Sequence, residues 1–138
     1  MAVHMELSRI LIRENLPSHI IELREVDGDR RFPIMIGPYE VAAINRRLRG
    51  EELARPQTHE LLASIIEHLG GKIDRVIVND LIHDEHGEGT FYARLIINQN
   101  GHQLSIDSRP SDAIALGIAT EVPIYVEEKV LDAVTDEP

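Results

Sequence analysis

From Ser111 to Ala119 the chain reads Ser-Asp-Ala-Ile-Ala-Leu-Gly-Ile-Ala, a helical stretch that is apolar nearly all round once past its first turn. Such a helix has to be packed on several sides, between sheets or at a subunit contact. The remaining sequence must therefore supply walls for it, and it is rich in strand patterns. Met5 to Ile12 and His19 to Val26 read as strands joined by Asn15-Leu16-Pro17-Ser18, and Asp27-Gly28-Asp29 turns the chain into Arg31 to Ile36. A second set, Lys72 to Ile82, Thr90 to Asn98 and His102 to Asp107, is separated by the polar His83 to Gly89 turn and the Asn100-Gly101 hairpin signal. Short connections make both sets antiparallel.

Helical periodicity punctuates these strands. Gly37-Pro38 ends a strand, and from Tyr39 to the stop at Gly50 the residues Val41, Ala42, Ile44 and Leu48 share one side opposite Arg46 and Arg49. A second helix runs from Thr58, read as its N-cap, to Leu69, with Leu61, Leu62, Ile65, Ile66 and Leu69 as its apolar face and Gly70-Gly71 beyond. Pro123 to Val126 is a short strand and Glu127 to Val134 a final helix; the polar tail 135–138 is expected to fray. The pattern predicts a single α+β domain over residues 1–134, with antiparallel or mixed sheets and packed helices. Phe32-Pro33-Ile34-Met35-Ile36 can be laid over Val122-Pro123-Ile124-Tyr125-Val126, so a duplicated strand and helix unit is one reading of the order.

The 138 residues suit one domain that needs no staples. With 43% hydrophobic but only 4% aromatic residues, its core must be built of Ile, Leu, Val and Ala. The absence of cysteine excludes disulfides, thiolate metal sites and cysteine nucleophiles, and it agrees with a reducing compartment. Met5 to Arg13 mixes charged and apolar residues unlike a secretory leader, and no apolar run approaches the roughly 20 residues that cross a bilayer. A cytoplasmic protein without a membrane partner is expected. The formal charge of −10 argues against holding nucleic acid by bulk electrostatics, yet leaves room for local phosphate contacts through metal ions.

Two helix starts concentrate the chemistry. Arg55-Pro56-Gln57-Thr58-His59-Glu60 sets a guanidinium, an imidazole and a carboxylate around one of them, where free N–H groups could also meet an anion. His59 suits a general base or metal ligand and Glu60 a metal ligand; equally, Glu60 can complement the helix dipole while His59 fills a boundary position. Asp107-Ser108-Arg109-Pro110-Ser111-Asp112 is denser, with two carboxylates, two hydroxyls and a guanidinium within six residues. Asp112 projects toward Ala115, Leu116 and Ala119, so its charge requires a partner. Arg109 or the helix N–H groups would make the segment structural. Alternatively, Asp107 and Asp112 converge on a divalent ion and Arg109 holds a phosphate. Asp80 is a candidate third carboxylate, the His83 to Gly89 loop reads as a solvated turn, and Arg46, Arg47 and Arg49 as a solvated basic face. No phosphate-binding Walker loop, dinucleotide fingerprint or His-Glu-x-x-His pair is present.

The chain resembles the bifunctional nuclease family of bacteria and plants. The resemblance is carried by Phe32 to Gly37 with Glu40-Val41-Ala42-Ala43-Ile44, by Arg55-Pro56-x-Thr58-His59-Glu60, by Thr90-Phe91-Tyr92-Ala93, by Asp107 to Leu116 and by Pro123-Ile124-Tyr125-Val126. The run Arg-Pro-Ser-Asp-Ala-Ile-Ala-Leu is its most specific part. Glu60 stands where the family usually has Asp, and Val41 where Ala is common. The resemblance implies a self-associating α+β domain, with a dimer expected, and activity on DNA and RNA as in some plant members. For such an activity the acidic and basic residues at the two helix starts suggest the parts: Mg²⁺ or Mn²⁺ held by Glu60, Asp107 and Asp112, phosphate met by Arg55, Arg109 and Ser111, and proton transfer assisted by His59. The competing expectation is a non-enzymatic interaction or regulatory module in which the Arg-Pro-Ser-Asp segment is a conformational lock. Hydrolysis of small phosphoesters is a third.

Overall fold

The computed structural model describes residues 1–135. Three antiparallel strands, β1 (Ala2–Leu11), β2 (His19–Glu25) and β3 (Arg31–Ile36), lead into α1 (Pro38–Leu48) and α2 (Thr58–His68). Three more, β4 (Gly71–His83), β5 (Gly89–Gln99) and β6 (His102–Ser108), lead into α3 (Pro110–Thr120), then β7 (Ile124–Glu127) and α4 (Glu128–Thr135). All seven strands form one sheet in the order β3-β2-β1-β7-β4-β5-β6. Among the described residues only the pair β4 and β7 is parallel. The fold is therefore α+β with a mixed sheet, as the strand and helix patterns predict. The described part of the frayed-tail expectation is Thr135, which closes α4; 136–138 lie outside the described residues.

β1 starts three residues earlier than its sequence pattern suggests because Ala2 to Met5 pair with Glu127 to Ile124 of β7. That late strand joins the two meanders. The sheet also curls: Phe32 of β3 and Phe91 of β5 place their rings 5.7 Å apart although four strands separate them in the sheet order. Inward alternation supplies the core, with Phe32, Ile34 and Ile36 from β3, Ile21 and Leu23 from β2, and Val76 and Val78 from β4 all buried.

Inside this core α3 meets the requirement set by its sequence, since Ala113, Ile114, Ala115, Leu116 and Gly117 are all buried. Gly117 suits the close approach of α3 to β4: a Cβ there would stand 3.1 Å from Val76 Cγ2, so that side chain would have to give by a few tenths of an ångström. The partners of α3 are α1, α2, β4 and β5.

Two expectations about helices need correction. Thr58 does not cap α2: the extended residue is Gln57, whose carbonyl accepts from Leu61 N at 2.8 Å, so Thr58 is the first helical residue and no side chain caps the end. The expected apolar face of α2 is also mostly uncovered. Leu61, Leu62, Ile65 and Leu69 are exposed, because the helix rests on α3 and β4 through His59, Ala63 and Ile66. In α1, likewise, Val41 and Ile44 are buried while Leu48 is exposed.

The correspondence between Phe32–Ile36 and Val122–Val126 relates an edge strand to the central one. A second correspondence is visible only in the fold: each three-stranded meander feeds a helix that starts with proline and carries an acid two residues later, Pro38-Tyr39-Glu40 in α1 and Pro110-Ser111-Asp112 in α3.

Leu116→Ala, which empties a side chain only 2% exposed, is expected to lower stability by about 2–5 kcal/mol in urea denaturation. Ile82→Ala, at a site 49% exposed, should stay within about 0.5 kcal/mol of the parent.

Candidate active site at three helix starts

The first turns of α1, α2 and α3 point their polar residues at one place. In α1 and α3 the residue before the helix is extended, Gly37 with φ −77° and ψ 170° and Arg109 with φ −69° and ψ 144°, and proline follows as the first helical residue. The acid two positions on, Glu40 or Asp112, then sits in the first turn, where the helix dipole favours negative charge. Arg109 joins them. Its Nη2 donates to Glu40 Oε1 at 2.8 Å and its Nε donates to Asp112 Oδ2 at 2.8 Å. The other Asp112 oxygen, Oδ1, lies 3.0 Å from His59 Nε2 of α2.

Glu40 is 8% exposed and His59 9%, while the Arg109 side chain is 67% exposed. A buried carboxylate needs a compensating cation, and the guanidinium reaches it from the surface. Gly37 makes room for this contact, since a Cβ there would fall 2.6 Å from Glu40 Oε2.

Partial burial pushes the Asp112 carboxyl up, but hydrogen bonds from Arg109 and His59, together with the charge of the guanidinium, outweigh it and hold it below the ordinary 3.8. Hydrogen bonds to Asp112 and then to Glu40 raise the Arg109 guanidinium further above its usual range. Because an ionised carboxylate can only accept, the His59 nitrogen facing it must carry the proton. His59 Nδ1 then remains for other chemistry.

Of the residues singled out in the sequence, the fold brings together His59, Arg109 and Asp112. Ser111 is buried beside them at the start of α3. Glu60 turns away, 3.9 Å from Arg46, and lines a cleft of about 530 Å³ with Arg46 and Arg47. Asp107 is exposed on β6 and stands opposite Arg94 of β5. Arg55 is exposed, with no ion pair among the described residues. Asp80 pairs with Lys129 at 3.7 Å, and the basic face is matched by acids, Arg47 to Glu121 at 3.2 Å and Arg49 to Glu51 at 3.7 Å. In the 83–89 loop, Asp84 Oδ1 accepts from the backbone of His86 and Glu88, which closes the turn.

Glu40 is the member that motif reading left without a role. Its signal was the shared spacing, since Gly37-Pro38-Tyr39-Glu40 repeats the pattern of Arg109-Pro110-Ser111-Asp112. Arg109, Pro110 and Ser111 also line a largely apolar cleft of about 680 Å³ whose other walls come from β3 and the start of β5, including Ile20, Met35 and Phe91. This cleft opens where the curled sheet brings β3 toward β5.

The fold and site together define a small α+β domain in which a curled mixed sheet encloses an apolar helix headed by an Arg-Pro-Ser-Asp turn. The chain belongs to the bifunctional nuclease domain family, whose sequence profile matches residues 21–137. It is 42% identical over 128 residues to an uncharacterized protein of Mycobacterium tuberculosis, a match that covers 91% of this chain and 73% of that protein. Bifunctional nuclease 1 of Oryza sativa subsp. japonica is 28% identical over 123 residues, or 86% of this chain and 36% of the plant protein. Bifunctional nuclease 1 of Arabidopsis thaliana is 24% identical over 116 residues, 81% and 34% of the respective chains. The chain thus spans about a third of the length of these plant relatives.

The Asp112 contacts also predict a pH dependence. Its folded value lies below 3.8, so the stability it contributes is present above that pH and is lost as the pH falls through the folded value. The gap in Tm between wild type and Asp112→Asn is expected to be open at about pH 5 and to close on acidification below 3.8. A gap that widens with acid would contradict the assignment.

Proposed function

We propose that the chain hydrolyses phosphodiester bonds in DNA or RNA at the cluster of helix starts, with a divalent cation, Mg²⁺ or Mn²⁺, completing the centre. Membership of the bifunctional nuclease family supports a reaction of this class. The observation that carries the assignment to this site is Arg109, an exposed guanidinium fixed by two carboxylates at the mouth of a cleft and linked through Asp112 to an imidazole.

The roles follow from which atoms are already engaged. Arg109 uses Nε and Nη2 to hold Asp112 and Glu40, which leaves Nη1 to donate to a phosphate oxygen. Two anchors pre-orient that donor, so little reorganisation is needed as charge develops on the phosphoryl oxygens. Asp112 fixes the ring of His59 by accepting at Nε2, and Nδ1 takes the proton from the attacking water as its oxygen bonds to phosphorus and the P–O bond to the leaving nucleotide breaks. The apolar cleft beside Arg109 receives the neighbouring nucleotide and excludes water from one side of the reaction.

A hard cation here would keep most of its shell from water and substrate. Asp112 is about a third exposed, and each of its oxygens retains a second lone pair, so it is the residue that would hold the ion. Among the described residues no group of three His, Cys, Asp or Glu forms a ready cage, and Glu60 and Asp107 point elsewhere. Mg²⁺ commonly binds through one or two carboxylates together with substrate phosphates. When bound it would stabilise charge on the phosphate and acidify a water. A reducing cytoplasm rich in Mg²⁺ agrees with this reading and with a chain free of cysteine; no helix among the described residues is long and apolar enough to cross a membrane.

One observation favours a second reading. Both Asp112 oxygens are engaged by protein donors, as they would be if the segment were a lock in a non-enzymatic module. The two readings part on one experiment. Purified wild type should cut single-stranded DNA or RNA with Mg²⁺ or Mn²⁺ and stop on addition of EDTA. Asp112→Asn and His59→Gln should each lower the rate by roughly 100-fold or more with unchanged circular dichroism. Equal cutting by Asp112→Asn removes the site from the mechanism. A wild type inactive with either ion, together with a lowered Tm in Asp112→Asn, favours the lock.

A further inference from the structure

The cleft beside Arg109 lies between two strand edges that have no ladder partner among the described residues. β6 ends at Ser108 opposite Ala93, so β5 carries one bare side from Gly89 to Tyr92, and β3 is the outermost strand of the sheet. The turns fix which backbone groups these edges present. Asn100 and Gly101 both have positive φ, 50° and 81°, and they close a two-residue hairpin on Gln99 and His102. That pair is mutually hydrogen-bonded, and bonded pairs alternate along an antiparallel ladder. Ala93, Leu95 and Ile97 therefore bond β6, and in the same phase Phe91 and Gly89 aim their N–H and C=O groups past its end. The opposite side of β5 agrees, since Asp84 N donates to Glu88 O at 2.9 Å, which turns Thr90 and Tyr92 toward β4. On the other wall, the 2.9 Å bond from Glu25 N to Arg30 O sets Phe32, Ile34 and Ile36 toward β2. Met35 and Pro33 then direct their backbone groups outward, a position in which Pro33 deprives the ladder of no donor.

Side chains and backbone thus give this cleft two characters at once. Pro33, Met35 and Phe91 supply apolar walls, while the free N–H and C=O groups of Met35, Gly89 and Phe91 supply hydrogen bonds between them. A nucleobase matches both, with flat apolar faces and a rim of donors and acceptors. An added peptide strand does not, because two outward residues on each edge make too short a ladder. The third wall contains Ser111, which is only 7% exposed, yet its hydroxyl has no hydrogen-bond partner among the described residues. A buried hydroxyl left unbonded costs stability, so this one points to a ligand. It lies next to Arg109, whose Nη1 is also uncommitted. Together they offer an anion two donors at the end of the apolar walls.

We propose that the seam between β3 and β5 is a nucleobase subsite: one unpaired base enters between Met35 and Phe91, its rim bonds the free backbone groups, and its phosphate is held by Ser111 Oγ and Arg109 Nη1. The inference deepens the nuclease reading and rests on it. The cleft of about 680 Å³ has the size of a small-ligand pocket. Because the strand edges offer donors as well as acceptors, purines and pyrimidines alike find partners there. The subsite therefore registers that a base is free of its own partner strand, and not which base it is.

The test is binding without metal or turnover. The full chain in EDTA is titrated, with amide NMR as the readout, against adenosine 5′-monophosphate and against ribose 5-phosphate, which keeps the sugar and phosphate but lacks the base. The nucleotide should bind roughly 10-fold more tightly and shift the amides of Met35, Gly89 and Phe91 as well as Ser111, whereas ribose 5-phosphate should shift the Ser111 end alone. Met35→Thr, at a site 64% exposed where the fold tolerates change, should narrow the difference about threefold and leave ribose 5-phosphate binding as it was. Ser111→Ala should weaken both ligands alike while its Tm stays level or rises, because the lost hydroxyl bonds nothing in the protein. Equal affinities for the two ligands, or base-dependent shifts at amides outside the cleft, overturn the proposal. No bond is cleaved in the titration, so failure of the subsite and failure of the nuclease reaction are read in separate experiments.

Discussion

Arg109 holds two carboxylates that come from opposite halves of the chain, Glu40 from α1 and Asp112 from its own helix α3. The bridge to Glu40 spans 69 residues and compensates a carboxylate that is almost wholly buried. Without it Glu40 would face a desolvation cost with no other ion pair among the described residues, and the first turn of α1 would have to reorganise. Because Asp112 also binds His59, the same guanidinium indirectly sets the start of α2. Three helices are thus registered against one another by a single side chain two thirds open to solvent. Stability and chemistry meet at that residue, since whatever pulls on Arg109 from the cleft also pulls on the packing of α1 against α3.

The sheet explains why this convergence is possible. Two antiparallel meanders flank β7, and each meander delivers its helix from its outermost strand, α1 after β3 and α3 after β6. Flat, those outer strands would lie a full sheet width apart. The curl that brings Phe32 to Phe91 brings the helix starts together as well and opens the apolar cleft at the seam. Enclosure of α3 is the energetic reason for the curl: an apolar helix gains most when strands wrap it on more than one side.

A hydrophobic pattern states that a surface will be covered without stating by what. In α2 the residues His59, Ala63 and Ile66 face α3 and β4, and the leucines and isoleucine on the adjoining arc remain substantially exposed. The same holds for Leu104 and Ile106 on the core face of β6. Hydrophobic periodicity is blind to whether a neighbouring element reaches the apolar face, because it reports the side chains of one segment and not the distance to the next.

The sequence by itself determined the local order: where strands alternate, where Gly-Pro, Gly-Gly and Asn-Gly interrupt them, and that the helix after Arg109-Pro110 must be enclosed. Those features depend on backbone sterics and on side chains a few residues apart, so they can be read in one dimension. It also marked His59, Arg109 and Asp112, since a charge at the head of an apolar helix demands company wherever the chain goes. Which company it keeps was decided by the tertiary structure. Glu40 enters, and Glu60, Asp107 and Arg55 are left out, because the curl of the sheet and the tilt of α2 set distances between residues tens of positions apart, and electrostatic partnership depends on those distances and on burial rather than on spacing along the chain.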